Sequence, residues 1–256
     1  MNSTTLQTRD PLHGLQLFLV LDGLIRLFVW SSPMAFTAAI FTCCDAWPQE
    51  SIVNADLAAA WLWTRKLTHL VLLYNLLYVA HLIVIRLLIA TPREGRYETR
   101  PGTPVNWQLL RAAILGALTK ARYEAPFPAF LVFHMANLPP LRWLMGLVFG
   151  PQSKSCYVSD PTILDPWAVT IGRNVVVGFG TTLAGHYREQ DTVVFQRTVI
   201  EDDVLIGGHC AISGAHIQRG AVVGAGSIVL PGSVIAPGEY WSGNPARRRT
   251  RPGAGT

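Results

Sequence analysis

In the C-terminal half of the chain, aliphatic residues recur every six positions: Ile171, Val177 and Leu183, then Ile200, Ile206 and Ile212, then, after a step of five, Ile217, Val223, Val229 and Ile235. A period of six matches neither a helix face nor the two-residue alternation of a half-buried strand. It matches a parallel β-helix, in which each hexad supplies one short strand and one corner and the repeated aliphatic side chain points into a stacked core. Gly172, Gly178, Gly207 and Gly224 follow these aliphatic residues directly. A residue without Cβ at that point lets the chain turn. About ten hexads at three per coil predict roughly three to four coils, within a domain over residues 156–246.

The pattern before residue 150 is different. Leu67 to Ala90 is a run of twenty-four residues in which Arg86 is the only full charge, beside His69 and His81, and a helix of that length crosses a hydrocarbon core of about 30 Å. Leu12 to Cys44 is a second candidate span, interrupted by Ser31, Ser32 and Pro33 and carrying Asp22 and Arg26 four residues apart. On a helix those two face each other and neutralise one another. Residues 105–149 contain a third apolar stretch, Phe127 to Phe149, broken by Pro128, Pro139, Pro140 and Arg142. Helices lying in the membrane surface are expected there. Met1 to His13 is polar, with no cleavage-site pattern after it, so a signal peptide is not expected.

Composition agrees with this division. Half of the 256 residues are apolar and 14% are charged, and the mean hydropathy of +0.30 is high for a domain with a fully polar surface. Arg93, Arg96, Arg100, Arg111, Lys120 and Arg122 flank the spans on one side. The positive-inside rule puts that flank, and with it the C-terminal domain, on the cytoplasmic face of the cytoplasmic membrane. Net charge is +5, but the basic residues gather beside the apolar segments and in a tail, 247–256, that holds Arg247, Arg248, Arg249 and Arg251. Membrane lipids or a phosphorylated ligand are therefore expected as partners, and nucleic acid is not. The four cysteines, Cys43, Cys44, Cys156 and Cys210, have the spacing of neither a disulfide framework nor a zinc site.

Four segments carry a family resemblance: TILD and VTIGRNVVVG within Thr162 to Gly178, the Gly185-His186 pair opening a polar loop, VLIGGHCAI at Val204 to Ile212, and VVGAGSIV with SGNPAR at Val222 to Val229 and Ser242 to Arg247. In order and spacing this resembles the hexapeptide-repeat acyltransferases, above all the galactoside, maltose and xenobiotic O-acetyltransferase branch, over about a third of the chain. The resemblance implies a left-handed parallel β-helix, acetyl-CoA or another acyl-CoA as co-substrate without a metal, and a homotrimer whose sites lie between neighbouring β-helices. It also implies that His186 is the general base. An imidazole titrating near 6.5 can take the proton of an attacking hydroxyl or amine. Glu189, three residues on, is a candidate to orient the ring, and the loop from Tyr187 to Thr198 a candidate wall of the acceptor site. For the acyl donor, the resemblance points to Gly207, Gly208, His209, Ala225 and Ser227 along the pantetheine arm and to Arg247 near the nucleotide phosphates, with backbone N–H groups at Gly207 and Gly208 for the oxyanion.

The acceptor asparagine of the sugar-acetylating enzymes has Val158 at about its place and Asp160 beside it, so a galactoside acceptor is not expected. Two other readings stay open. A γ-carbonic-anhydrase-like metal centre would use His186, His209 and His216, although the last two lie seven apart where the paired histidines of those enzymes lie five apart. A non-catalytic β-helix scaffold of a membrane pathway would leave the histidines idle.

Overall fold

The structure is a computed structural model that describes residues 12–44, 47, 57–100, 103–104, 106–123, 146, 150, 157–158 and 162–250. Val158 lies at its edge, and Asp160, Cys156 and the end of the basic tail lie outside it.

Helix α1 runs Leu12–Cys43 and α2 runs Leu57–Leu88. Val20–Cys43 and Leu57–Leu88 are long and apolar enough to cross a membrane, by length and composition. The second helix starts well before Leu67, because Thr64, Arg65 and Lys66 interrupt the apolar run without stopping a helix. Pro33 sits inside α1. There the hydroxyls of Ser32 and Thr37 donate to the carbonyls of Phe28 and Pro33, at 2.8 and 2.7 Å, so side chains supply bonds to the backbone around the proline.

Helix α3, Trp107–Tyr123, packs on both. Val29, Tyr74, Tyr78, Leu82, Leu115, Leu118 and Ala121 form one buried core. Tyr74 donates to the carbonyl of Trp30 at 3.1 Å and Tyr78 to that of Ala121 at 2.8 Å. Asp22 pairs with Arg26 as its spacing predicts, at 3.3 Å, and also with Lys120 of α3 at 3.6 Å. Most of the remaining stretch expected to be interfacial, 124–149, falls outside the described residues.

The hexads fold as a parallel β-helix with three faces. One ladder stacks Tyr157–Val158, Val176–Val177, Leu205–Ile206, Val222–Val223 and Tyr240–Ser242; the second stacks Thr162–Ile163, Thr182–Ala184, Ala211–Ser213 and Ile228–Val229; the third stacks Val169–Ile171, Thr198–Ile200, His216–Ile217 and Val234–Ile235. This gives four coils and the first strand of a fifth. Arg247–Arg249 caps the stack antiparallel to Tyr240–Ser242. Register is set by the repeated residue: Leu183 stacks on Ile212 and Ile212 on Val229, while Ile171, Ile200, Ile217 and Ile235 form the third column. All are buried.

The glycines after the aliphatic residues have a reason other than turning. A Cβ on Gly178 would lie 2.3 Å from the backbone nitrogen of Gly208 in the next coil. Contact between coils, not a left-handed conformation, excludes a side chain there.

The segment after His186 is a β-hairpin, not a loop. His186–Glu189 pairs antiparallel with Thr192–Phe195, and Gly95–Glu98, which follows α2, adds a third strand. Thr99 donates N–H and hydroxyl to the carbonyl of Asp191 at 2.7 and 2.8 Å. Arg197 pairs with Glu94 at 3.2 Å, Arg100 with Asp191 at 3.6 Å, and Arg96 with Glu189. A two-stranded hairpin is marginal alone, and the third strand satisfies its free edge. The five-residue step from Ile212 to Ile217 lies beneath its base: the Ser213 hydroxyl donates to the carbonyl of His186 at 2.7 Å, and the Gly214 N–H to Thr198 Oγ1 at 2.8 Å.

Because Ile212 is buried between two coils, Ile212→Ala should destabilise the domain by about 2–5 kcal/mol. Its outward neighbour Ala211 should tolerate Ala211→Ser within about 0.5 kcal/mol. Unfolding midpoints at matched detergent concentration check both.

Candidate active site

Asp165 ends the TILD segment and precedes a short 3₁₀ turn, Pro166–Ala168, with proline at its start. The turn brings the carboxylate inward, where it is buried. Asp165 Oδ2 accepts the N–H of Gly185 at 2.9 Å and meets His186 Nδ1 at 2.5 Å. The two residues belong to successive coils, and their side chains meet because the coils stack. Gly185 is needed at this point: a Cβ there would lie 2.2 Å from Cβ of Ala168.

His186 is half-buried, with a side chain 39% exposed, and its ring meets the edge of Phe195 at 6.3 Å. With the Nδ1–H donated to Asp165, Nε2 carries the lone pair and has no protein partner among the described residues. The hydrogen bond that His186 donates to Asp165 raises the imidazole pKa above its ordinary value, burial opposes this, and the carboxylate charge adds to the rise. Such an arrangement, an imidazole held by a carboxylate with its other nitrogen free of protein partners among the described residues, can accept a proton.

Glu189 does not orient His186. It is spent on Arg96, and the reason lies in strand geometry: residues 186 and 189 lie on one strand, and positions three apart project from opposite faces. Sequence reasoning quoted TILD but passed over Asp165. Its position at the corner one coil below the Gly-His pair was the available signal.

The donor candidates sit at a different corner. Gly207, Gly208 and the exposed His209 lie between Leu205–Ile206 and Ala211–Ser213, with exposed Ala225 in the coil above. His186 leaves from the corner after Thr182–Ala184. Within one chain no hydrogen bond joins the two groups among the described residues. Gly207 N–H already donates to the carbonyl of Val223 at 2.8 Å, so it is not available to an oxyanion. Gly208 N–H makes no such bond among the described residues. Ser227 is fully buried; its hydroxyl donates to the carbonyl of Gly224 at 2.5 Å and accepts the N–H of Gly243 at 3.2 Å. Its side chain therefore has no face toward a ligand, contrary to expectation. Arg247 is exposed in the capping strand and donates to the carbonyl of Ala246 at 2.9 Å.

The three histidines of the metal reading are not brought together. His209 stacks edgewise on Phe179, with ring centroids 5.8 Å apart, and His216 Nε2 meets Glu201 at 2.7 Å. Among the described residues no group of three or more His, Cys, Asp or Glu side chains could hold a metal ion.

A family model described as the hexapeptide repeat of succinyl-transferase matches residues 197–231. Residues 197–231 are hexapeptide repeats. No curated protein matches the chain. Among solved structures, the chain is similar to a maltose O-acetyltransferase from Clostridium difficile 630, at 17% identity, over 64% of this chain and 98% of that one, with a TM-score of 0.44. It is similar to a hexapeptide-repeat-containing acetyltransferase from Vibrio cholerae O1 biovar eltor complexed with acetyl coenzyme A, at 22% identity, over 59% and 91%, with a TM-score of 0.39. A galactoside acetyltransferase in complex with coenzyme A matches at 18% identity, over 58% and 84%, with a TM-score of 0.41. At such scores these likenesses assign no chemistry; the coils of the hexapeptide-repeat segment stand on the ladders described above.

Since the Asp165 contact is the main cause of the raised pKa, Asp165→Asn should lower the titration midpoint of His186, read by NMR of the imidazole. Glu189→Gln should leave it unmoved.

Proposed function

We propose that this chain is a membrane-associated acyltransferase, moving an acyl group, acetyl in the first instance, from acyl-CoA to a hydroxyl or amine of a sugar, a lipid-linked or another polar acceptor. The observation that carries the reading is the Asp165–His186 pair, a buried carboxylate holding an imidazole whose second nitrogen has no protein partner among the described residues. Nε2 removes the acceptor proton as the oxygen or nitrogen attacks the thioester carbonyl. The imidazolium so formed is stabilised by Asp165. Collapse of the tetrahedral intermediate breaks the carbon–sulfur bond, and the imidazolium returns the proton to the departing CoA thiolate. Gly208 N–H is the backbone donor left for the oxyanion.

Because the donor corner and the His186 corner lie apart in one chain, the complete site forms between copies. A homotrimer of left-handed β-helices, as the resemblance implies, brings one copy's His186 hairpin toward another's Gly207–His209 corner. Two candidate spans and the basic flank beside them support a position for this assembly on the cytoplasmic face of the membrane.

The test is acceptor-dependent release of CoA thiol from acetyl-CoA by the full chain. His186→Ala should lower it by about 10²- to 10⁴-fold. Equal release by both proteins would remove the assignment, and CoA binding without release by either would favour the scaffold. The working form of His186 is the neutral one, and its pKa is raised, so the rate should climb with pH through a midpoint above about 6.5. In Asp165→Asn that limb should move to lower pH while the maximal rate falls.

A further inference from the structure

The arginines near the exit of α2 fall into two sets. Arg96 and Arg100, on and just after the strand Gly95–Glu98, are neutralised by Glu189 and Asp191 of the hairpin. Arg86, Arg93 and Arg111 have no carboxylate partner among the described residues. Arg86 Nη1 donates to the carbonyl of Ile89 at 3.2 Å, while its Nε is buried with no acceptor among the described residues. A guanidinium left under-satisfied inside a structure calls for an explanation, since each buried donor without an acceptor costs free energy. Arg86 lies seven residues before Arg93, and Gln108 links Arg93 to the first turn of α3. Arg86 is one turn before Ile89 at the end of α2, and Arg111 is one turn before Ile114 on α3; Ile89 and Ile114 pack on the same core. The backbone N–H of Arg93 donates to Gln108 Oε1 at 3.0 Å, one turn from Arg111, and its carbonyl accepts the Tyr97 hydroxyl at 2.9 Å.

This region adjoins the catalytic pair on two sides. Trp167, two residues from Asp165, packs on the helical core. Arg93 is two residues from Gly95, which pairs with Phe195, which pairs with His186. Two strand spacings of about 4.8 Å and two residues of about 3.4 Å put Arg93 within roughly 17 Å of His186.

We propose that Arg86, Arg93 and Arg111 form a site for the phosphate of a membrane lipid, with the lipid's head group lying toward His186 as the acyl acceptor. Three guanidiniums without a carboxylate partner among the described residues, near the end of a candidate span, match a phosphate anion at the membrane surface in charge and in the kind of donor they offer. A membrane lipid delivers that phosphate at the depth where α2 ends. The identification of the head group as acceptor rests on the acyl-transfer reading; the phosphate site does not.

The experiment uses the full chain, delipidated in detergent, with native mass spectrometry of bound dioleoyl phosphatidic acid against dioleoylglycerol, which differs by the phosphate alone. Preferential binding of phosphatidic acid, weakened at least about tenfold in Arg86→Gln/Arg93→Gln/Arg111→Gln and unchanged in Arg248→Gln, is the expected result. Should the triple variant melt early, Arg93→Gln/Arg111→Gln, which leaves the half-buried Arg86 in place, should still weaken binding severalfold. Equal binding of the two lipids, or no loss in either variant, would overturn the site. Displacement of the lipid by inorganic phosphate at equal concentration would overturn its assignment to a lipid. Lipid binding is read without turnover, so a failure of acyl transfer and a failure of this site are separate outcomes.

Discussion

The hydrogen bond between Asp165 and His186 is the contact on which the rest of the site depends, and it exists because coils of a β-helix stack in register. Asp165 belongs to one coil and His186 to the next. Neither strand geometry nor local sequence holds them together. The stacked aliphatic columns do, through Ile163 on Leu183 and Ile171 on Ile200. Core packing thus fixes a distance at the site: burial of the columns sets the coil spacing, the spacing brings the carboxylate to the imidazole, and the carboxylate sets tautomer and basicity.

His186 is also the first residue of the hairpin, and the hairpin does not stand alone. Its outer strand pairs with Gly95–Glu98, which leads directly from α2. The helical region and the β-helix are therefore joined through the strand that pairs with His186, by backbone pairing and by the ion pairs of Glu94, Arg96 and Arg100. The helices are thereby part of the architecture around the Asp165–His186 pair.

The hexads were legible because a six-residue period has few physical causes, and the aliphatic residues that mark it are the residues that stack. His186 was legible through the Gly-His pair; Gly185 is forced by the approach of Ala168. Asp165 was not, because its partner lies in another coil and the sequence does not mark which corners meet. Glu189 was misjudged on proximity along the chain, where the alternation of a strand would have excluded it. Ser227 was misjudged for a related reason. Thr181, Cys210 and Ser227 occupy the same corner of successive coils and bond corner carbonyls, at 2.9 Å to Gly207, 3.2 Å to Gly224 and 2.5 Å to Gly224. A serine in that column is an internal corner residue. The third strand, Gly95–Glu98, could not be read at all, since four residues of mixed polarity carry no periodic signal.

The most direct test of the account is a crystal structure of the chain with CoA bound. The account expects the pantetheine thiol beside a Gly207–His209 corner and within roughly 7 Å of a His186 Nε2, leaving room for one acceptor atom in contact with each. A thiol bound far from every His186, or a His186 ring turned away from Asp165 in the complex, would contradict it.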